Sequence, residues 1–159
     1  MMQSHTVYCI SVFLLILNFG WIHGADKAVL ITGGINSGNK LRSAEVFLPA
    51  TGHSCRLPDL PDNRWGHTQD GGLTCGGFDY GSPADQRISC LKWSPDSGSW
   101  TLSHTLTEER DNHVSWTPDP SLGTYLIGKF SSYNNMRTSE LVKPDGSVEQ
   151  GFSLKYDTR

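Results

Sequence analysis

The chain has 159 residues, 13 Lys and Arg against 16 Asp and Glu, a formal charge of −3 and a pI near 6.0. With 36% hydrophobic and 18% charged residues it is neither a disordered polyelectrolyte nor a coiled coil, and no Lys/Arg run offers a footprint for phosphate backbones. One soluble globular unit with no nucleic-acid partner is expected.

The N-terminus is of another kind. Its apolar run from Val7 to Leu17 spans only 11 residues and is followed by the small residues Gly20, Gly24 and Ala25. A membrane-crossing helix needs roughly 20 apolar residues, so the run fits the core of a secretory signal peptide occupying 1–24. The alternatives are a retained membrane anchor, or a cytoplasmic adaptor with a misread leader. Export would put the chain in an oxidising, extracellular setting, with no membrane contact beyond the leader. Removal of the leader takes Cys9 with it and leaves Cys55, Cys75 and Cys90, an odd set in which disulfides can form.

From residue 28 onward the sequence repeats. "AVLITGG" (28–34) returns as "GLTCGG" (72–77) and "TYLIGK" (124–129). "SAEVFLPATG" (43–52) returns as "SCLKWSPDSG" (89–98) and "TSELVKPDG" (138–146). An acid-x-Arg-x-x-His unit holds Arg64 and His67, and then Arg110 and His113, 46 residues on; Arg159 continues the series after 49 more. Such a period signals stacked repeats. Each unit alternates strand-length apolar runs with Gly, Pro, Asn and Asp turns, and none has an apolar period of 3.6. Four antiparallel strands per unit are expected.

These features together resemble the kelch repeat: the double glycines Gly33-Gly34 and Gly76-Gly77, the single Gly128, an aromatic in the next strand, and Trp93 and Trp100 around a Pro-x-x-Gly turn. The Leu-Pro step before Arg-x-x-His belongs to the same set. The resemblance covers 28–159 and implies an all-β fold, a partial kelch-type β-propeller of about three four-stranded antiparallel blades. Its repeats would be 28–60 (lacking a first strand), 61–106 and 107–155. Lys129 departs from the second glycine, and units one and three lack the Trp. Phe47, Trp93 and Trp100 are expected to fill the wedges between sheets. Propellers close with about four to eight blades. The chain is therefore expected to be a fragment whose remaining blades come from a longer chain, or a short product that self-associates.

Arg-x-x-His recurring in register with every other repeat feature is expected to be structural, with arginine's donors on backbone carbonyls. The rival is a metal site made by His53, His67, His104 and His113, but no pair has helical spacing and no Cys/His set has zinc-finger spacing. No Gly-x-Ser-x-Gly elbow or phosphate-cradling loop occurs, and no cofactor is expected. The remaining enzymatic alternative is a galactose-oxidase-like copper oxidase on the same fold, whose ligand set does not map onto this chain. The resemblance implies a secreted protein-binding module acting through rim loops. Candidate binding residues there are Asn36, Asn39, Tyr80, Asp85, Tyr133, Asn134 and Asn135. Cys75 and Cys90, at the facing ends of consecutive strands, are expected to pair, leaving Cys55 unpaired or joined outside this chain.

Overall fold

A computed structural model describes residues 28–70, 72–78, 88–94, 96–129 and 137–155. The leader at 1–24, the loop residues Tyr80, Asp85, Tyr133, Asn134 and Asn135, and Arg159 lie outside the described residues. Every described element is a β-strand, and all pairings are antiparallel.

The first sheet has three strands in the order β1 (Val29–Thr32), β4 (Ala44–Leu48), β5 (His53–Leu57). Between β1 and β4 a small hairpin, β2 (Ile35–Asn36) and β3 (Asn39–Lys40), turns through Ser37 and Gly38, both with positive φ. The second sheet runs β6 (Thr68–Asp70), β7 (Leu73–Cys75), β8 (Ser89–Ser94), β9 (Ser99–Thr105). The third runs β10 (Val114–Asp119), β11 (Gly123–Ile127), β12 (Ser139–Val142), β13 (Val148–Gln150). Each of these sheets is a meander in sequence order, and among the described residues the first has no strand equivalent to β6 and β10.

The repeat is visible in the backbone bonds as well. Gly33 N donates to Ser43 O, Gly76 N to Ser89 O, and Gly128 N to Thr138 O. Leu60, Leu106 and Leu154 donate to the carbonyls of Arg42, Ile88 and Arg137 in the same way. Three units of sequence thus build three units of the same local geometry.

Strand alternation gives each sheet two faces. Ala44, Val46 and Leu57 of the first sheet pack on Trp93 of the second, with Leu30 and Trp100 beside them. The opposite face of the second sheet, through Leu73, Cys75 and Cys90, packs on Leu126 and Val142 of the third. The indole N–H of Trp100 also donates to Pro58 O at 2.8 Å, tying an outer strand to the preceding unit. Trp93 and Trp100 therefore fill an inter-sheet wedge as expected, their rings tilted with centroids 5.6 Å apart. Phe47 does not. It shares a row with Val29, on the face turned away from the second sheet, because β4 directs Val46 inward and Phe47 outward.

Cys75 and Cys90 face each other across β7 and β8 and are bridged. Cys55 is disulfide-bonded as well, to a partner outside the described residues. The Cys75–Cys90 bridge closes a loop with a sequence separation of 15. Replacing both cysteines by alanine is expected to lower unfolding free energy by ~3 kcal/mol in urea titrations, on the chain-entropy account. An unchanged urea midpoint would contradict it.

Candidate functional site

The residues singled out by repetition converge at the junctions between sheets. Arg64 lies just before β6 and Arg110 just before β10, and both are 0% exposed. A buried guanidinium must satisfy its donors, and the repeat supplies the acceptors. Arg64 Nη1 donates to Gly76 O at 3.0 Å and Ser89 O at 2.9 Å, and Nη2 also reaches Ser89 Oγ. Arg110 Nη1 donates to Gly128 O at 2.9 Å and Thr138 O at 3.1 Å, and Nη2 to Thr138 Oγ1 at 3.2 Å. Gly76 and Ser89 flank one loop, Gly128 and Thr138 another. Each arginine therefore grips both sides of the neck from which a loop leaves the sheet.

The counter-ions differ between the units. Asp62, two residues before Arg64, takes Nε and Nη2 in a bidentate pair at 2.6 and 2.9 Å. Glu108 stands at the same step before Arg110, but its Oε2 is 3.5 Å from Nη2 and accepts instead from Lys129 Nζ at 3.0 Å and Thr138 Oγ1 at 2.8 Å. Arg110 Nε turns to Glu140, 2.6 Å away and buried at 1% exposure. Glu140 occupies the place of the apolar Leu91 in the second unit and also accepts from the Thr107 amide and hydroxyl. Burial would raise the Glu108 pKa, but the bonds from Lys129 and Thr138 and the charges of Lys129 and Arg110 hold its carboxyl below the usual range. Lys129, the exception to the double glycine, lacks a positive φ and serves as a cation for Glu108. Glu140 was not foreseen, since a Glu in "TSELV" reads as the solvent position of an alternating strand.

The same arginines hold the preceding sheet through their backbone. Gly34 N donates to Arg64 O at 2.7 Å and Gly77 N to Arg110 O at 2.8 Å. The glycine before each donor has no room for a side chain: a Cβ on Gly33 would stand 2.5 Å from Arg64 O, and one on Gly76 2.3 Å from Arg110 O. Both have positive φ, of 56° and 63°. One residue thus links two units, its carbonyl on the sheet behind and its guanidinium on the sheet ahead.

The histidines complete the junction. His67 Nε2 donates to Thr32 O at 3.0 Å and contacts Thr32 Oγ1, whose hydroxyl donates to Gln69 Oε1. Gln69 Nε2 in turn reaches Leu30 O. His113 Nε2 is 2.7 Å from Thr68 Oγ1, and further along the same two strands, β6 and β10, Thr117 donates to Asp70 Oδ2 at 2.7 Å. Nδ1 of both rings is buried without a hydrogen-bond partner among the described residues. Desolvation by burial, helped by the Arg110 charge and by His67, pushes the His113 pKa down to about 3, and burial lowers that of His67.

Among the described residues no group of three or more His, Cys, Asp or Glu side chains is placed to hold a metal, and there is no helix long and apolar enough to cross a membrane. His67 and His113 face threonines on the preceding sheet, while His104 Nε2 is 3.1 Å from Lys143 O. Of the candidate loop residues, Asn36 and Asn39 are described; they pair across the exposed hairpin, whose base is held by Leu41 O accepting from Arg64 N at 3.0 Å. No protein-family model matches the sequence, and no curated protein matches it.

A histidine that titrates near 6.5 when unfolded and near 3 when folded makes stability depend on pH in one direction. Below about 6.5 the unfolded chain takes up a proton that the folded one refuses, so stability falls as pH falls, by up to about 1.4 kcal/mol per pH unit for each such ring. Urea unfolding between neutrality and mild acid is expected to show this loss, and His113→Gln is expected to make the slope shallower. An unaltered slope in the variant would refute the assignment.

Proposed function

We propose that this chain is a run of kelch-type propeller blades, exported from the cell, that binds a protein partner through loops on one rim. The single observation that carries the reading is the recurrent loop neck. Three loops leave at equivalent positions, each closed by a glycine amide on the far side: Gly33 with Ser43, Gly76 with Ser89, Gly128 with Thr138. Two of these necks are also gripped by a buried arginine. Necks at equivalent positions start their loops from the same edge of each sheet, and function on rigid scaffolds concentrates in such loops.

Further support comes from the sequence between the necks. The loops carry Asn36 and Asn39, Tyr80 and Asp85, and Tyr133, Asn134 and Asn135, a mix of aromatic and adaptable polar groups suited to protein recognition. The Cys75–Cys90 bridge is compatible with an oxidising, extracellular setting. The kelch assignment rests on the pattern of Gly, Arg, His and Trp, together with meandering sheets stacked in sequence order.

Labelled protein is expected to bind the surface of receptive cells saturably. Changing Tyr80 and Tyr133 together to alanine is expected to weaken that binding roughly tenfold or more, as loss of aromatic anchors does, while leaving the far-ultraviolet spectrum unchanged. Binding indifferent to every loop substitution would contradict the proposal.

A further inference from the structure

The two internal junctions follow one rule. The forward face of a sheet, carrying Leu30 and Val46 in the first and Leu73, Cys75 and Cys90 in the second, receives the rearward face of the sheet that follows. On the second sheet the projecting rearward side chain is Trp93, which is 7% exposed because the first sheet covers it.

Among the described residues two faces, the rearward one of the first sheet and the forward one of the third, have no sheet packed on them. Phe47 stands three residues after Ala44, as Trp93 stands three after Cys90, and Ala44 and Cys90 pair with the equivalent residues Thr32 and Cys75. Phe47 is therefore the first sheet's counterpart of Trp93. Its rearward neighbours Val29 and Ile31 are 45% and 44% exposed. The third sheet's forward face is aromatic: Trp116 stacks on Tyr125 at 5.9 Å and 28°, and Tyr125 meets Phe152 at 5.7 Å. Trp116 is 52% exposed and Phe152 44%. Three aromatic rings in one contiguous run, the outer two open to solvent, mark a contact surface rather than a scatter of surface apolar groups.

We infer that the aromatic forward face of the third sheet docks on the rearward face of the first sheet in a second copy of this chain. The contact continues head to tail the interface already repeated inside each chain. It joins two different patches, so it is heterologous, and the dimer keeps one free face of each kind, one on each copy. This inference rests on sheet stacking alone and is independent of what the rim loops bind.

The test uses the full secreted chain in sedimentation velocity over a wide range of concentration. The wild type is expected to form dimers and larger species as concentration rises. Trp116→Glu spoils only the forward face and Ile31→Glu only the rearward face. Each is expected to weaken self-association roughly thirty-fold or more, by loss of an interface anchor. An equimolar mixture is expected to recover a dimer and stop there, because each variant retains the face that the other lacks. Both positions are well exposed, and a misfolded variant could not take part in that recovery. A wild type that stays monomeric throughout would overturn the inference, as would a mixture that fails to dimerise or variants that associate like the wild type.

Discussion

The structure depends on a buried guanidinium that has to be fully satisfied. Arg64 and Arg110 are enclosed on all sides, and a lone charge so placed would be very costly. Their surroundings meet that cost by converging on them two carbonyls from a loop neck, a hydroxyl and a carboxylate. The acceptors come from strands that sequence alone would leave free to separate. Because a guanidinium is planar, always charged and forked, it fixes the directions of those acceptors as well as their presence. Losing one member of the Arg110–Glu140 pair would strand the other, at ~3–5 kcal/mol.

The junction also accounts for the glycines and histidines around it. The carbonyl of each arginine must come close enough to accept a hydrogen bond from the preceding unit, and only a residue without Cβ leaves the space. The histidine ring then covers that glycine and reaches a threonine, Thr32 in one junction and Thr68 in the other. Buried away from water and near a guanidinium, the rings stay neutral, which keeps the junction intact near neutrality and exposed to acid. Position and chemistry are coupled here: the arrangement that anchors the loops is also the one that stacks the sheets.

Much of this could be read from the sequence, and the parts that could not have physical reasons. Arg64, His67, Arg110 and His113 were identifiable because repetition at one spacing separates scaffold from chance, and the glycine pairs before them ask for a conformation that other residues resist. The Cys75–Cys90 bridge followed from strands that face each other. Glu140 was hidden because an alternating strand does not say which face is wet, and here the buried face holds an ion. Lys129 broke the glycine pattern without breaking the turn, since its ammonium found Glu108. Phe47 was misplaced for the same reason of parity: one step along β4 exchanges the inner face for the outer one. The loop residues from Tyr80 to Asn135 lie outside the described residues.

The claim that arginine junctions lock successive sheets into one cooperative body is tested most directly by native-state hydrogen exchange at the amides of Gly34 and Gly77, which donate to Arg64 O and Arg110 O. The account predicts that both exchange only through the opening that also releases the core strands β4, β8 and β11. Exchange of those two amides at rates near a free peptide's, while the strands remain protected, would contradict it.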